Sequence, residues 1–159
     1  MSKFAERYQK IADKLIKKNF PALQNFKIFL TEKKIFKFRY SGITTYFIFF
    51  GLIIIHPKAR KYPDSALYAL LVHELAHLDI IVRKNFWGKI KLAFKWYFTK
   101  KGKIDFETEA DTLTVEKGYG YGLVELGKIF STQKDAIKNR SKHGYLTLKQ
   151  IESLLKKSK

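Results

Sequence analysis

Leu71-Val72-His73-Glu74-Leu75-Ala76-His77 is the stretch on which the reading of this chain turns. Its surroundings, about 65–84, are apolar nearly all round and contain neither Gly nor Pro. The pattern predicts a helix buried at the centre of the fold, with Asp64 or Ser65 as its N-cap. At 3.6 residues per turn, His73 and His77 stand one above the other on a single face. Two imidazole nitrogens so placed can both reach one zinc ion at about 2.0–2.1 Å. Glu74 is rotated off that axis, which leaves it free to act as general base on a water at the metal. Burying three such polar groups without partners is costly, and metal ligation is the simplest way to satisfy them.

Outward from this helix the hydrophobic period changes. Residues 4–18 repeat apolar positions at helical spacing (Phe4, Tyr8, Ile11, Leu15, Ile16), and Pro21 marks the end of that helix. Phe26, Ile28 and Leu30 alternate, as do Phe36, Phe38 and Tyr40, which predicts strands with one buried and one wet face. Thr44 to His56 is nearly all β-branched or aromatic and reads as one well-buried strand, bent at Gly51. Residues 85–103 interleave aromatics with lysines: Phe86, Ile90, Ala93, Phe94 and Tyr97 share a stripe, which predicts a short amphipathic helix packed on the core. The same stretch also suits an anionic membrane surface. Further helices are expected over about 105–118, opened by Asp105, then 121–131 and 146–157, with the glycine-rich run at 118–122 as a flexible connection.

Composition bounds the chemistry. A chain of 159 residues with 46% hydrophobic content reads as a single domain, 1–159, with a real core. There is no cysteine, so thiolate sites and disulfides are excluded, and His, Asp and Glu must supply any ligands. Thirty-two basic against fourteen acidic residues leave a net charge of +18, which points either to a solvated lysine-rich surface or to a nucleic-acid or anionic membrane partner. The charged start, MSKFAERYQK, does not read as a secretory signal, and the run Tyr46 to Ile55 is too short to span a bilayer as a helix, so a cytoplasmic protein is expected.

Zinc that hydrolyses needs a third protein ligand and an open position. Six residues after His77 stands Arg83, and the next histidine is His143, so a nearby third imidazole is closed. Glu107-Thr108-Glu109-Ala110-Asp111 is the acidic segment that follows.

With HELAH and ETEAD in this order, the chain resembles the gluzincins, including the prenyl and heat-shock proteases and the small minigluzincins; the ImmA/IrrE-type metallopeptidases have a comparable second segment. The match runs from about Gly51 to Gly118. It implies an α+β, zincin-like fold: a small, mostly antiparallel sheet packed on an active-site helix, with further C-terminal helices. It implies a Zn²⁺-dependent metallopeptidase in which His73, His77 and Glu107 hold the ion, with Glu109 the alternative third ligand, and Glu74 activates water. Asp111, one turn beyond Glu107, would accept the free N–H of a ligand imidazole. The GLIIIHP stretch (51–57) is similar to the strand that edges the cleft in such enzymes and pairs with a peptide substrate. His143, within SKHGYLTLKQI, is similar to an oxyanion-stabilising histidine, although Gly144 replaces the usual Pro; Tyr145 is the alternative donor. His56 reads as a strand-end residue, and Asp79 faces elsewhere on the helix, where it can act as support to a ligand. A structural metal site in a regulatory, nucleic-acid-binding protein is the competing reading.

Overall fold

A computed structural model describes residues 2–34, 41–47, 49–131 and 144–157. Its architecture is α+β. Helix α1 (Lys3–Asn19) is capped by Ser2, whose hydroxyl accepts from the Ala5 N–H, and buries Tyr8, Ile11, Ala12, Leu15 and Ile16 along one side. After a short 3₁₀ turn at Pro21–Leu23, three strands form one sheet: β1 (Lys27–Glu32), β2 (Gly42–Tyr46) and β3 (Phe50–Ile55). Their order is β1-β3-β2, with β1 parallel and β2 antiparallel to β3. The sheet of the described residues is therefore mixed, not mostly antiparallel as expected. The strand expected over Phe36 to Tyr40 lies outside the described residues.

The run 44–56 is two strands rather than one. The chain reverses between Tyr46 and Phe50, where the Phe47 N–H donates to the Phe50 carbonyl, and Tyr46 pairs with Gly51. An uninterrupted apolar stretch hides a reversal because neither Gly nor Pro marks it. The 51–57 segment is therefore not an edge strand: β3 is central, hydrogen-bonded on both sides, and β1 and β2 flank it among the described residues. Ile28, Leu30, Ile53 and Ile55 point into the core beneath the helices, and Phe29 stands in solvent on the other face.

Helix α2 (Asp64–Val82) carries the HELAH stretch and is buried through most of its length. Its N-cap is Pro63, not Asp64 or Ser65; Asp64 pairs with Arg7, and the Ser65 hydroxyl donates to Glu125. It is the one described helix long and apolar enough to cross a membrane, and 78% of that window is buried inside the protein. The next two helices, α3 (Phe86–Phe98) and α4 (Lys100–Thr114), are separated by Thr99 alone. Thr99 closes α3 and caps α4, its hydroxyl accepting from the Gly102 N–H, so α4 starts five residues before Asp105. A threonine serving two helices leaves no linker to read in the sequence. A π turn at Val115–Tyr119 leads directly into α5 (Gly120–Ser131), and α6 (Leu148–Lys157) follows. One apolar cluster joins α1, the sheet, α2, α4, α5 and α6, from Tyr8 to Ile151. Helix α3 contributes no fully buried residue to it and packs on the core through the half-buried Leu92, while the stripe of Phe86, Ile90, Phe94 and Tyr97 expected to face the core is exposed.

Candidate metal centre

His73 and His77 emerge from one face of α2 and meet Glu107 from α4. The two Nε2 atoms are 3.1 Å apart, and Glu107 Oε2 lies 3.3 Å from His73 Nε2 and 3.4 Å from His77 Nε2. Ligand atoms about 2.0–2.1 Å from a tetrahedral ion stand roughly 3.3–3.4 Å from one another. The triangle thus has the dimensions of three corners of a zinc tetrahedron. Glu107 Oε2 is buried, and its nearest polar neighbours are the two imidazole Nε2 atoms, so the three atoms share one small polar site. The donor set, two imidazoles and a carboxylate, suits zinc. On all three counts the residues fit the ion.

Glu109, one residue pair away on α4, turns from the triangle. With Asp79 and Glu116 it lines a cleft of about 520 Å³ between α2 and α4. Asp79 is fully buried there and pairs with Arg83 at 2.9 Å. Neither residue joins the cluster, and Glu107 is the third member of it.

Asp111 takes the position expected of it: Oδ1 is 2.9 Å from His73 Nδ1, and Oδ2 accepts from the Leu146 N–H at 2.8 Å. Such a carboxylate fixes the ring so that Nε2 faces the centre. Burial alone would lower the His73 pKa, but hydrogen bonds and charges from Asp111 and Glu107 outweigh it and hold it well above the ordinary histidine value. Burial likewise pushes the Glu107 carboxyl up, and the two imidazoles more than reverse this, holding it far below the usual carboxylate range.

Glu74 is buried beside β2. Its Oε2 accepts from the Thr44 hydroxyl at 2.6 Å, and the same hydroxyl reaches the Glu74 carbonyl at 3.2 Å. A side chain at Gly42 would overlap Glu74 Oε1 and come within 2.8 Å of Cδ, so only glycine lets the strand lie this close. Thr44 and Gly42 escaped the sequence reading, because their importance depends on β2 rather than β3 reaching Glu74. Phe106, packed against His77 with ring centroids 4.4 Å apart and the planes tilted by 32°, was equally unmarked.

Gly144, Tyr145 and Leu146 fold back onto α4. The Thr108 hydroxyl donates to the Gly144 carbonyl at 2.7 Å, and the Tyr145 ring centroid stands 5.8 Å from that of His73. Gly144 adopts φ +91°, and a Cβ there would come within 2.5 Å of Ile104 Cα. His143 lies outside the described residues. His56 ends β3 as expected, its Nδ1 accepting from the Lys58 N–H at 3.1 Å. Compared with known proteins, the chain matches no family model, no curated protein and no solved structure.

Proposed function

We propose that the protein is a zincin-like metallopeptidase of gluzincin type, hydrolysing peptide bonds. The observation that carries this reading is the 3.1–3.4 Å triangle of His73, His77 and Glu107, with Glu74 buried next to His73 in the same helix. A structural site needs only ligands; a carboxylate one residue after the first imidazole, oriented by its own hydrogen-bond donor, has the placement of a base. The ligand-bearing helices α2 and α4 and the strand β2 beside the base support a zincin-like arrangement.

His73, His77 and Glu107 would hold the zinc, and Asp111 would keep His73 oriented. When bound, zinc supplies a Lewis acid that polarises the scissile carbonyl and makes water acidic enough to lose a proton near neutral pH. Glu74 takes one proton from the attacking water and passes it to the leaving amine as the C–N bond breaks. Thr44 fixes the orientation of that carboxylate through its hydroxyl. His143, or Tyr145 as the alternative, would donate to the developing oxyanion. An extended substrate backbone would lie alongside β2, the strand that carries Thr44 to Glu74.

Metal analysis and cleavage of an unfolded protein substrate test the reading together. Glu74→Gln is expected to retain the metal and lose turnover by roughly 10²–10⁴-fold. Glu107→Ala should lose the metal, and Glu109→Ala should keep it. Metal binding by a wild-type chain that cleaves no unfolded protein would favour the structural-site reading instead.

A further inference from the structure

Helix α3 has two apolar sides, and the protein covers only the narrower. Leu92 is half-buried against the core, and Trp96, itself 44% exposed, has the Lys103 ammonium of α4 5.6 Å from its ring centroid. On the opposite side Phe86, Trp87, Ile90, Phe94, Tyr97 and Phe98 are each 45–73% exposed. At about 100° per residue these six span an arc of roughly 120°. Lys91 and Lys95 border one side of this face and Lys89 the other. Between Asp79 and Asp105 the chain carries eight basic residues and no acidic one.

Such a surface needs a cover that is apolar at its centre and negative around it. A second copy of this chain would bring two chains of net charge +18 together at their most basic segments. Nucleic acid would satisfy the lysines, but a convex helix face bearing Ile90 and four phenylalanine or tryptophan rings offers no groove for a phosphate backbone. A bilayer with anionic headgroups meets both demands: aromatic rings enter the headgroup–acyl boundary while lysines stay at phosphate level. We propose that α3 is an in-plane anchor that docks this protein on anionic membranes. Its axis is tied to the rest of the molecule through the Lys89 ammonium, 3.0 Å from the Tyr46 hydroxyl at the end of β2. Docking does not depend on the catalytic reading.

The chain has two tryptophans, Trp87 and Trp96, and both lie in α3, so tryptophan emission reports on this helix alone. The full chain is titrated with vesicles of phosphatidylcholine and with vesicles mixing phosphatidylcholine and phosphatidylglycerol. The expected result is a blue shift and co-sedimentation with the mixed vesicles, with quenching by acyl-brominated lipid. Phe86→Ser plus Phe94→Ser, both exposed and remote from the core, keeps both reporters; with unchanged circular dichroism, it should weaken partitioning by roughly tenfold or more. Four outcomes overturn the proposal: no binding to the mixed vesicles, binding without bromolipid quenching, equal binding by the variant, or an emission shift produced by self-association or nucleic acid in place of lipid.

Discussion

Thr44 and Glu74 form the contact on which the chemistry of the site is most exposed to a single atom. The hydroxyl donates to a buried carboxylate oxygen at 2.6 Å, a charge-assisted bond that sets where the base points. Thr44→Val preserves the shape and removes the donor, so kcat should fall roughly tenfold with little change in KM or bound metal. Equal losses in metal content would show that Thr44 supports the fold rather than the base. The ligands themselves carry a pH signature in the metal-free chain. The raised His73 pKa contributes stability that is complete below the unfolded value of about 6.5 and is lost as pH rises through the folded one. The lowered Glu107 pKa contributes stability above about 4.3, lost as pH falls through its folded value. Thermal melts of chelated protein should therefore peak between these limits, and Glu107→Gln should flatten both limbs. Zinc must displace the His73 proton, so metal affinity should rise with pH across the same range.

At the scale of elements, the segment before α6 is what secures Asp111. Thr147 and Gln150 form a reciprocal cap at the start of α6: the Gln150 side chain accepts from the Thr147 N–H at 2.8 Å, and the Thr147 hydroxyl accepts from the Gln150 N–H at 3.3 Å. Gly144, in the left-handed region, lets the chain turn so that Leu146 can donate to Asp111. Gly144→Ala should cost about 1–3 kcal/mol by melting and weaken metal binding, because the strain falls on the support of His73. Thr147→Ala should cost about 1 kcal/mol and leave metal affinity unchanged. If the two variants affected metal alike, the segment would be a passive cover.

Across the whole molecule, the candidate centre is a clasp between two helices that otherwise meet through side chains. A metal held by α2 and α4 binds the folded state alone. Chelation should lower Tm by roughly 5–10 °C when free metal had stood about 100-fold above its Kd. Glu107→Ala should give a Tm that neither added metal nor chelator changes, below that of chelated wild type because the contacts with His73 and His77 are lost too. An unchanged Tm on chelation would mean that the triangle holds no ion.

The strongly periodic α1, the uniformly apolar α2, and the HELAH and ETEAD pairs were legible because each is written in residues close together in the chain. So was Asp111, which sits one turn from Glu107. The reversal at Tyr46–Phe50, the shared cap at Thr99 and the outward face of α3 were not, since local pattern does not tell which apolar side finds a partner. The sequence by itself determined which residue types could hold a metal and that two of them share a helix face. Only the tertiary structure decided between Glu107 and Glu109, brought β2 instead of β3 to Glu74, and left the aromatic side of α3 uncovered. Those choices depend on how α4 is rotated against α2 and on which strand lies beside Glu74, contacts between residues thirty or more apart that no local spacing encodes.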